Sequence, residues 1–409
     1  MAGSGELVRN DNGRWGFRVK AANGQVVAVD GSQGYSSKRD ARSTLQRLLR
    51  GDYNGPIVDP ATHVCGQEIT KSTKLDADVL CTTGPAFIIA ADNVTLDLGG
   101  HTVSGDAHSG SRGPGILFRN VSGSTVRNGT VQRFDAGVVV SGGSKNTVLN
   151  ITAQDNVGPQ DGELGDGIVL DSSSDNRIQG NTVQRNGPFS GISLVNACHN
   201  NNVRGNIVKD NNMMQAGDPS AGRQDMGIRL EGPDASNNDV VSNTVSGSGA
   251  EGISVHAGCL DFNSTPPCAG TPPNQQNNIS KNTSSHNGTS GRGSGIKVFS
   301  MPTAVAPTRN TITDNVTDDN TSYGISVDGN PNGVGATENR TSRNRAHGNR
   351  VFDGHDGNTA TPCDANVWTA NDFGTVNQPC VAGRTTAAES GMPEGAVAEG
   401  VAAGQSLPA

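Results

Sequence analysis

Aromatic residues are scarce in this chain: 2 Trp, 3 Tyr and 9 Phe among 409 residues. So few rings argue against a long stacking cleft for neutral sugars. No run of eighteen apolar residues occurs, so no membrane-spanning helix is expected. A glycine-rich phosphate loop and a nucleophile elbow are both missing, which removes the common nucleotide-dependent and serine-hydrolase classes. Clustered positive charge is missing too. Residues 1–51 carry nine Lys and Arg against four Asp and Glu, and the remainder carries 22 against 35. A body with net charge −13 is a poor match for duplex DNA, so no nucleic-acid partner is expected. The first residues, MAGSGELVRN, contain no apolar stretch of the secretory kind. Hydrophobic content is 32% and charged content 17%, a balance that alone would suggest disorder.

Strict periodicity overrides that suggestion. The frame NRIQGNTVQRN at 176–186 places Asn at every fifth position with single aliphatics between. It returns as NNVRGNIVKDN (201–211), NNISKNTSSHN (277–287) and NTITDNVTDDN (310–320), and more loosely at 238–248 and 339–349. A second signature, Gly-[Ile/Val]-x-aliphatic, starts at 115, 137, 167, 191, 227, 252, 295 and 324. Its spacings are 22, 30, 24, 36, 25, 43 and 29 residues, a unit near 22–25 plus insertions. Periods of this size mean a solenoid. No 3.6-residue stripe is present, and the apolar slots hold β-branched residues in short alternating runs, as half-buried strands do. The expectation is a mainly β chain wound as a parallel β-helix, three short strands per coil. Asn would sit at the bends, because it tolerates unusual backbone angles and can stack in amide ladders. The same reading makes Asn93, Asn128 and Asn150 structural, although each lies in an N-x-[ST] sequon.

These frames, with DNVTLDLGGHTVSG at 92–105, resemble the right-handed parallel β-helix proteins of the pectate-lyase-like fold, including NosD-like repeats. The resemblance covers residues 63–381, with capping segments at 65–81 and 366–380. It implies a fold and leaves function open, since the fold hosts lyases, hydrolases, epimerases and phage spikes. Residues 1–51 are a different object. DNG and NG turns separate WGFRVK (15–20) from QVVAVD (25–30), and a helix is expected over 36–50 with Ala41, Leu45, Leu48 and Leu49 on one face and Ser36 or Ser37 at its cap. This stretch resembles the YegP-like module, a small α+β unit of unknown function. Residues 52–62 read as a linker and 382–409 as a disordered tail.

Seven cysteines form three close pairs, Cys65/Cys81, Cys259/Cys268 and Cys363/Cys380, plus a single Cys198. None has C-x-x-C spacing. Three disulfides and a buried thiol are expected, which implies an oxidising, extracellular or cell-surface setting. The absent leader pulls the other way.

Chemistry should sit on the outward columns of the Gly-Ile-x-Leu strands, at the x position and the position after Leu. Most of these residues are bland. Arg229, Glu231, His256 and Lys297 stand out as candidate catalytic groups, with Asp171 as a partner carboxylate two coils from Glu231 and with Phe299 and Asp225 as substrate contacts. Insertions at 157–166, 212–226 and 257–276 flank this place and suggest a walled groove. In uronate elimination, Arg229 or Lys297 would be base or clamp and His256 a proton relay. In hydrolysis, Asp171 and Glu231 would flank the glycosidic bond at about 9.6 Å, the upper limit for an inverting pair. A calcium ion, if used, would draw on Asp155, Asp161, Glu163 and Asp166; otherwise no cofactor is expected. The functional expectation is a polysaccharide partner, cleaved by a lyase or hydrolase. The alternative is a non-catalytic structural or adhesive solenoid of the phage-spike kind. His101 reads as a turn residue, His199, His286 and His347 as bend residues without partners, and Trp15 and Trp368 as small-core anchors.

Overall fold

The computed structural model describes residues 4–10, 13–30, 34–50, 65–82, 84–105, 113–158, 165–213, 225–257, 270–300, 305–328, 335–358, 363 and 366–383. Two compact units are present, Met1–Asp59 and Pro60–Ala409.

In the first unit, the central strand Trp15–Lys20 pairs antiparallel with Ser4–Arg9 on one side and Val26–Val29 on the other. The outer strand Ser4–Arg9 carries no alternating signature and was not expected. It is held by full register with Trp15–Lys20 and by the ion pair of Glu6 and Lys20 at 2.8 Å. The helix Lys38–Arg50 buries Ala41 and Leu45, whereas Leu49, expected on the same face, stays 51% exposed. Ser37 caps the helix: its Oγ accepts from the Asp40 amide at 3.1 Å and donates to the Asp40 carboxylate at 2.7 Å. Ser37→Ala should therefore cost about 1 kcal/mol of stability in this unit. A urea titration followed by the fluorescence of Trp15 would measure it, and an unchanged midpoint would deny the cap any role.

The second unit is mainly β and forms the right-handed parallel β-helix that the repeat implies. One face is an eleven-stranded parallel sheet that includes Ile168–Asp171, Ser190–Val195, Met226–Glu231, Ile253–Ala257, Ile296–Ser300, Tyr323–Val327 and Phe352–Asp356. All but Phe352–Asp356 are the Gly-Ile-x-aliphatic strands, and their register is unbroken: Ile168, Ile192, Ile228, Ile253, Ile296 and Ile325 stack in one inward column. The other two faces come from the Asn frames. Arg177–Gln179 pairs with Asn202–Arg204, and Thr182–Gln184 with Ile207–Lys209. Their central aliphatics, such as Ile178, Val203 and Val240, are fully buried. The interior is thin, so one or two branched side chains per strand fill it.

Three Asn ladders run through the bends. Asn176, Asn201, Asn238, Asn277 and Asn310 form one; Asn181, Asn206, Asn243, Asn282 and Asn315 a second; Asn287, Asn320 and Asn349 belong to the third. In each step both the backbone N–H and the side-chain Nδ2 of one Asn donate to Oδ1 of the next; for Asn181 to Asn206 both distances are 2.9 Å. Nδ2 also donates back to a carbonyl one coil earlier, as from Asn243 to Val203 at 2.9 Å. Of the two reasons the sequence suggests, the amide ladder holds and the backbone angle does not. The left-handed backbone belongs to the residue before each ladder Asn: Asp175, Asn200 and Asn237 have φ of 57°, 57° and 59°, and Ser242, Lys281 and Asp314 each 57°. Those positions accept many residue types. Asn is needed one step later, where a buried bend N–H has no ladder partner unless a side chain supplies one. Asn93, Asn128 and Asn150 are left-handed bend residues, with φ of 57°, 60° and 52°.

At the C-terminal end carboxylates close two of the ladders, while the second runs on through Asn344 to Asn371, whose Nδ2 donates to the Thr341 carbonyl at 3.0 Å. Asp353 accepts from the N–H and Nδ2 of Asn349 at 3.1 and 2.7 Å, and Asp356 accepts from Asn366 at 3.2 Å and from Trp368 Nε1 at 2.9 Å. Trp368 is 5% exposed, a core anchor as expected. Cys65–Cys81 and Cys363–Cys380 are disulfides in the two capping segments, and Cys198 is buried and free. Cys259 and Cys268 lie outside the described residues, as do the linker 52–62 and residues 384–409.

Candidate functional site

The two columns are in register where the sequence put them, but the x column, expected to face solvent, is largely covered: Ser193, Ser254 and Ser326 are 0% and Arg229 6% exposed. Val169, Ser193, Arg229, Ser254, Lys297 and Ser326 are in register, and beside them Asp171, Val195, Glu231, His256 and Phe299. Parallel pairing spaces each neighbour by roughly 4.8 Å, so side chains on adjacent coils touch.

Contacts join the central residues. Arg229 Nη1 lies 2.8 Å from Glu231 Oε2, and His256 Nε2 lies 3.4 Å from the same oxygen. The guanidinium sits over the Phe189 ring at 4.8 Å, and the His256 and Phe299 rings are 4.8 Å apart. Arg229 and His256 are nearly covered, with side chains 7% and 6% exposed, whereas Glu231 is 33% exposed. Arg229 Nε and His256 Nδ1 are buried and have no hydrogen-bond partner. Burial opposes ionisation of Glu231, but the hydrogen bond and charge of His256 and the charge of Arg229 override it and bring its pKa to about 2.

Beneath this group lies Asp166. Burial pushes its pKa up to about 6, against the nearby charge of Arg229 and the hydrogen bond from Ser193 Oγ at 2.5 Å. Its proximity to Glu231 adds to the rise.

A second cluster continues the strip. Lys297 Nζ sits 4.8 Å above the Phe299 ring, 3.1 Å from Asp328 and 3.7 Å from Glu251. Burial works against its charge, yet Asp328 and Glu251 more than offset this, so its pKa is raised and the ammonium stays protonated. Asp328 Oδ1 and Ser326 Oγ each lie 3.1 Å from His355 Nδ1, and Ser326 Oγ also donates to Asp328. Burial opposes the ionisation of Asp328, but His355, Lys297 and Ser326 together bring its pKa to about 2. The His355 ring stacks on Tyr323 at 4.2 Å and 17°. Burial and the Asp328 charge raise the Tyr323 hydroxyl pKa.

The sequence reading missed His355, Glu251 and Tyr323. His355 follows Gly354, which occupies the Ile column opposite Ile325, so the Gly-Ile-x-aliphatic signature is absent there. The cause is local. A Cβ at Gly354 would lie 2.4 Å from the Phe373 ring and 2.7 Å from Val381, which fill the aliphatic's place. Register from Ser326 to His355 was the signal that could have found it.

Other candidates separate from the strip. Asp171 accepts from Asn196 Nδ2 at 2.7 Å and from Ser172 Oγ at 2.9 Å, two coils from Glu231. Asp225 is 1% exposed and packs against Gly249, so it lies inside rather than on the face. Asp155 sits at a bend after Thr147–Gln154, where Arg185 grips it twice, at 2.7 and 2.8 Å. That guanidinium occupies the oxygens a cation would need. Asp161 and Glu163 lie outside the described residues, as do 214–224 and 258–269, the bulk of the insertions expected to wall a groove. Among the described residues no group of three or more His, Cys, Asp or Glu could hold a metal ion. His199, His286 and His347 do have partners: Asp234, Asp319 and Asp372 on the adjacent coil, at 3.5, 3.7 and 3.2 Å.

Residues 98–264 match a family described as periplasmic copper-binding protein (NosD). Residues 10–48 match a domain of unknown function, DUF1508, over the YegP-like stretch. The Dettilon tailspike protein shares the fold with a TM-score of 0.51 at 17% identity, over 76% of this chain and 60% of that one. This chain is a parallel β-helix repeat protein. The β-helix also aligns with a tailspike double mutant of E. coli bacteriophage HK620, solved in complex with a pentasaccharide (TM-score 0.50, 11% identity, 91% of this chain and 69% of that one). A pectate lyase, Pel9A, aligns with a TM-score of 0.48 at 14% identity, over 76% and 82%. The β-helix protein thus spans 60% of the length of the Dettilon tailspike. No curated protein matches it. Copper, named in the NosD description, finds no fitting donor set among the described residues. The free thiol of Cys198 is buried against the Leu170 and Val195 carbonyls at 3.4 and 3.2 Å, and no step is derived through a metal.

Proposed function

We propose that the β-helix protein is an extracellular or surface protein that binds a polysaccharide along the strip from Asp166 to His355. The observation that carries this reading is the strip itself. Acids, imidazoles, an arginine, a lysine and the Phe299 ring occupy two register-locked columns over consecutive coils, while the same columns nearer the N-terminus hold Val139, Ser141, Val169 and Asp171. A rigid sheet face that repeats at about 4.8 Å suits an extended polymer. Two disulfides fit an oxidising compartment, and no described helix is long and apolar enough to cross a membrane.

The groups suit hydrolysis better than elimination. Elimination needs an unprotonated base and a cation free to hold a uronate. Lys297 is kept protonated, and both it and Arg229 are already paired with carboxylates. Hydrolysis needs an ionised carboxylate beside a proton donor. Glu231 is ionised and a third exposed, and the neighbouring group able to hold a proton is Asp166, whose pKa burial raises to about 6. The same mutual pairing favours a second reading, a binding face without turnover. Incubating the full chain with a polysaccharide panel and measuring reducing ends, unsaturated products and binding separates these readings. Reducing ends that fall at least a hundredfold with Glu231→Gln, at unchanged melting temperature, support hydrolysis. Unsaturated product would move the assignment to a lyase. Retained binding without product leaves the adhesive role, and no binding to any polymer ends the proposal.

A further inference from the structure

We infer that the glycan is uncharged: vicinal hydroxyls are taken by fixed carboxylates and sugar ring faces by the aromatic side chains of the strip, so polyuronates are excluded. This deepens the glycan-binding reading and rests on it.

Charge on the face comes first. The strip carries Asp166, Glu231, Glu251 and Asp328 against Arg229 and Lys297. Both cations are neutralised in place, Arg229 by Glu231 at 2.8 Å and Lys297 by Asp328 at 3.1 Å and Glu251 at 3.7 Å. An incoming uronate would have to displace one of these internal partners while entering an excess of negative charge. The rest of the chain beyond residue 51 adds to that field with its 35 acidic against 22 basic residues. A hydroxyl pair meets no such opposition. It donates to a carboxylate that is already ionised and fixed, and charge-assisted bonds of this kind are the strong ones.

The rings come second. Aromatics are rare in the chain, yet Phe299, Tyr323 and Phe352 lie on three successive coils of this face, all partly exposed. Tyr323 and Phe352 are in register on neighbouring coils, and Phe299 lies five residues along its strand from the position that Tyr323 faces. Phe299 is backed by His256 at 4.8 Å, and Tyr323 and Phe352 are backed by His355 at 4.2 and 6.4 Å. Tyr323 and Phe352, supported from behind, present a firm flat surface to the C–H face of a pyranose, while the Phe299 ring already lies under Lys297 Nζ at 4.8 Å. An overall scarcity of aromatics therefore does not argue against stacking here, because three of the few are concentrated where the carboxylates are.

The test uses the full chain and calorimetric titration with oligosaccharides of three kinds: a neutral glucan or N-acetylated series, polygalacturonate and alginate, and a de-N-acetylated, amine-bearing series. Expected are binding of a neutral series, at least tenfold weaker or no binding of the uronates, and little change with salt. Asp328→Asn should weaken the neutral ligand about tenfold, and Tyr323→Ala should do the same with circular dichroism unchanged. If the face instead awaited a uronate, Asp328→Asn would loosen Lys297 and strengthen uronate binding, which is the opposite sign. Tight uronate binding that salt abolishes would overturn the inference and leave the glycan-binding reading standing. Binding of the amine-bearing series alone would overturn it too. Failure of all three series to bind would remove both.

Discussion

Asn243→Ala should destabilise the β-helix by about 3–6 kcal/mol, among the largest effects of any single substitution in the chain. Asn243 Oδ1 accepts from the N–H of Asn206 and from its Nδ2, both at 2.9 Å, and Asn243 Nδ2 donates to the Val203 carbonyl at 2.9 Å and to Asn282 at 3.0 Å. Alanine leaves the buried Asn206 N–H without its acceptor, takes one of two acceptors from Asn206 Nδ2, and removes a donor from the Val203 carbonyl and from Asn282 Oδ1, which keeps the N–H of residue 243. Each unsatisfied buried group is worth about 1–3 kcal/mol, and water has little room to replace the amide in an interior this closely packed. Chemical denaturation read by far-ultraviolet circular dichroism measures the loss. The neighbouring change is the control: Ser242 is exposed with φ 57°, so Ser242→Gly relieves a left-handed strain of about 1 kcal/mol and should be neutral or slightly stabilising. Equal effects at 242 and 243 would show that bend geometry, not the ladder, holds the coils.

Asp166→Asn should have a large effect of opposite sign, and only at the upper end of the pH range. The folded pKa of Asp166 is raised from 3.8 to about 6. A carboxyl raised on folding contributes its full share to stability below 3.8 and loses that share as pH climbs through about 6. Above that pH the wild type holds a buried carboxylate at a penalty of about 3 kcal/mol, from about two pH units at 1.36 kcal/mol each. Asparagine keeps an oxygen for Ser193 and carries no charge. Its melting temperature should exceed that of the wild type at pH 8 and match it near pH 3.5. Glu231 runs the other way: its pKa falls from 4.5 to about 2, so its contribution is present above 4.5 and fades as pH drops through about 2. If the advantage of Asp166→Asn were the same at both pH values, the raised pKa would be wrong.

The repeat made much of this legible. Both outward columns could be written from the Gly-Ile-x-aliphatic spacing, because period-two alternation and parallel stacking leave each residue one possible neighbour. Arg229, Glu231, His256, Lys297 and Phe299 therefore came together as expected. What the spacing could not carry was depth. Asp225 and Asp166 look alike in sequence to exposed acids, and only packing against Gly249 and beneath Arg229 shows that they are covered. His355 was hidden for a different reason. In the coil that holds it, interior volume is supplied by Phe373 and Val381 from later in the chain, so the local signature lapsed while the register continued. The role of Asn was half legible. Ladders follow from the period, but the left-handed angle and the amide fall on adjacent positions, and a five-residue spacing cannot say which of the two it marks.

The carboxylates of Asp353 and Asp356 have one more consequence. Amide stacking has a direction, since every bend passes its donors forward to the following turn. A final turn made only of asparagines would offer unspent N–H groups, an adhesive end onto which another molecule could dock and extend into a filament. Acidic oxygens that accept without donating terminate that sequence. Two of the three ladders are thereby stopped at this end, and the remaining one finishes on Asn371, whose Nδ2 turns back to the Thr341 carbonyl.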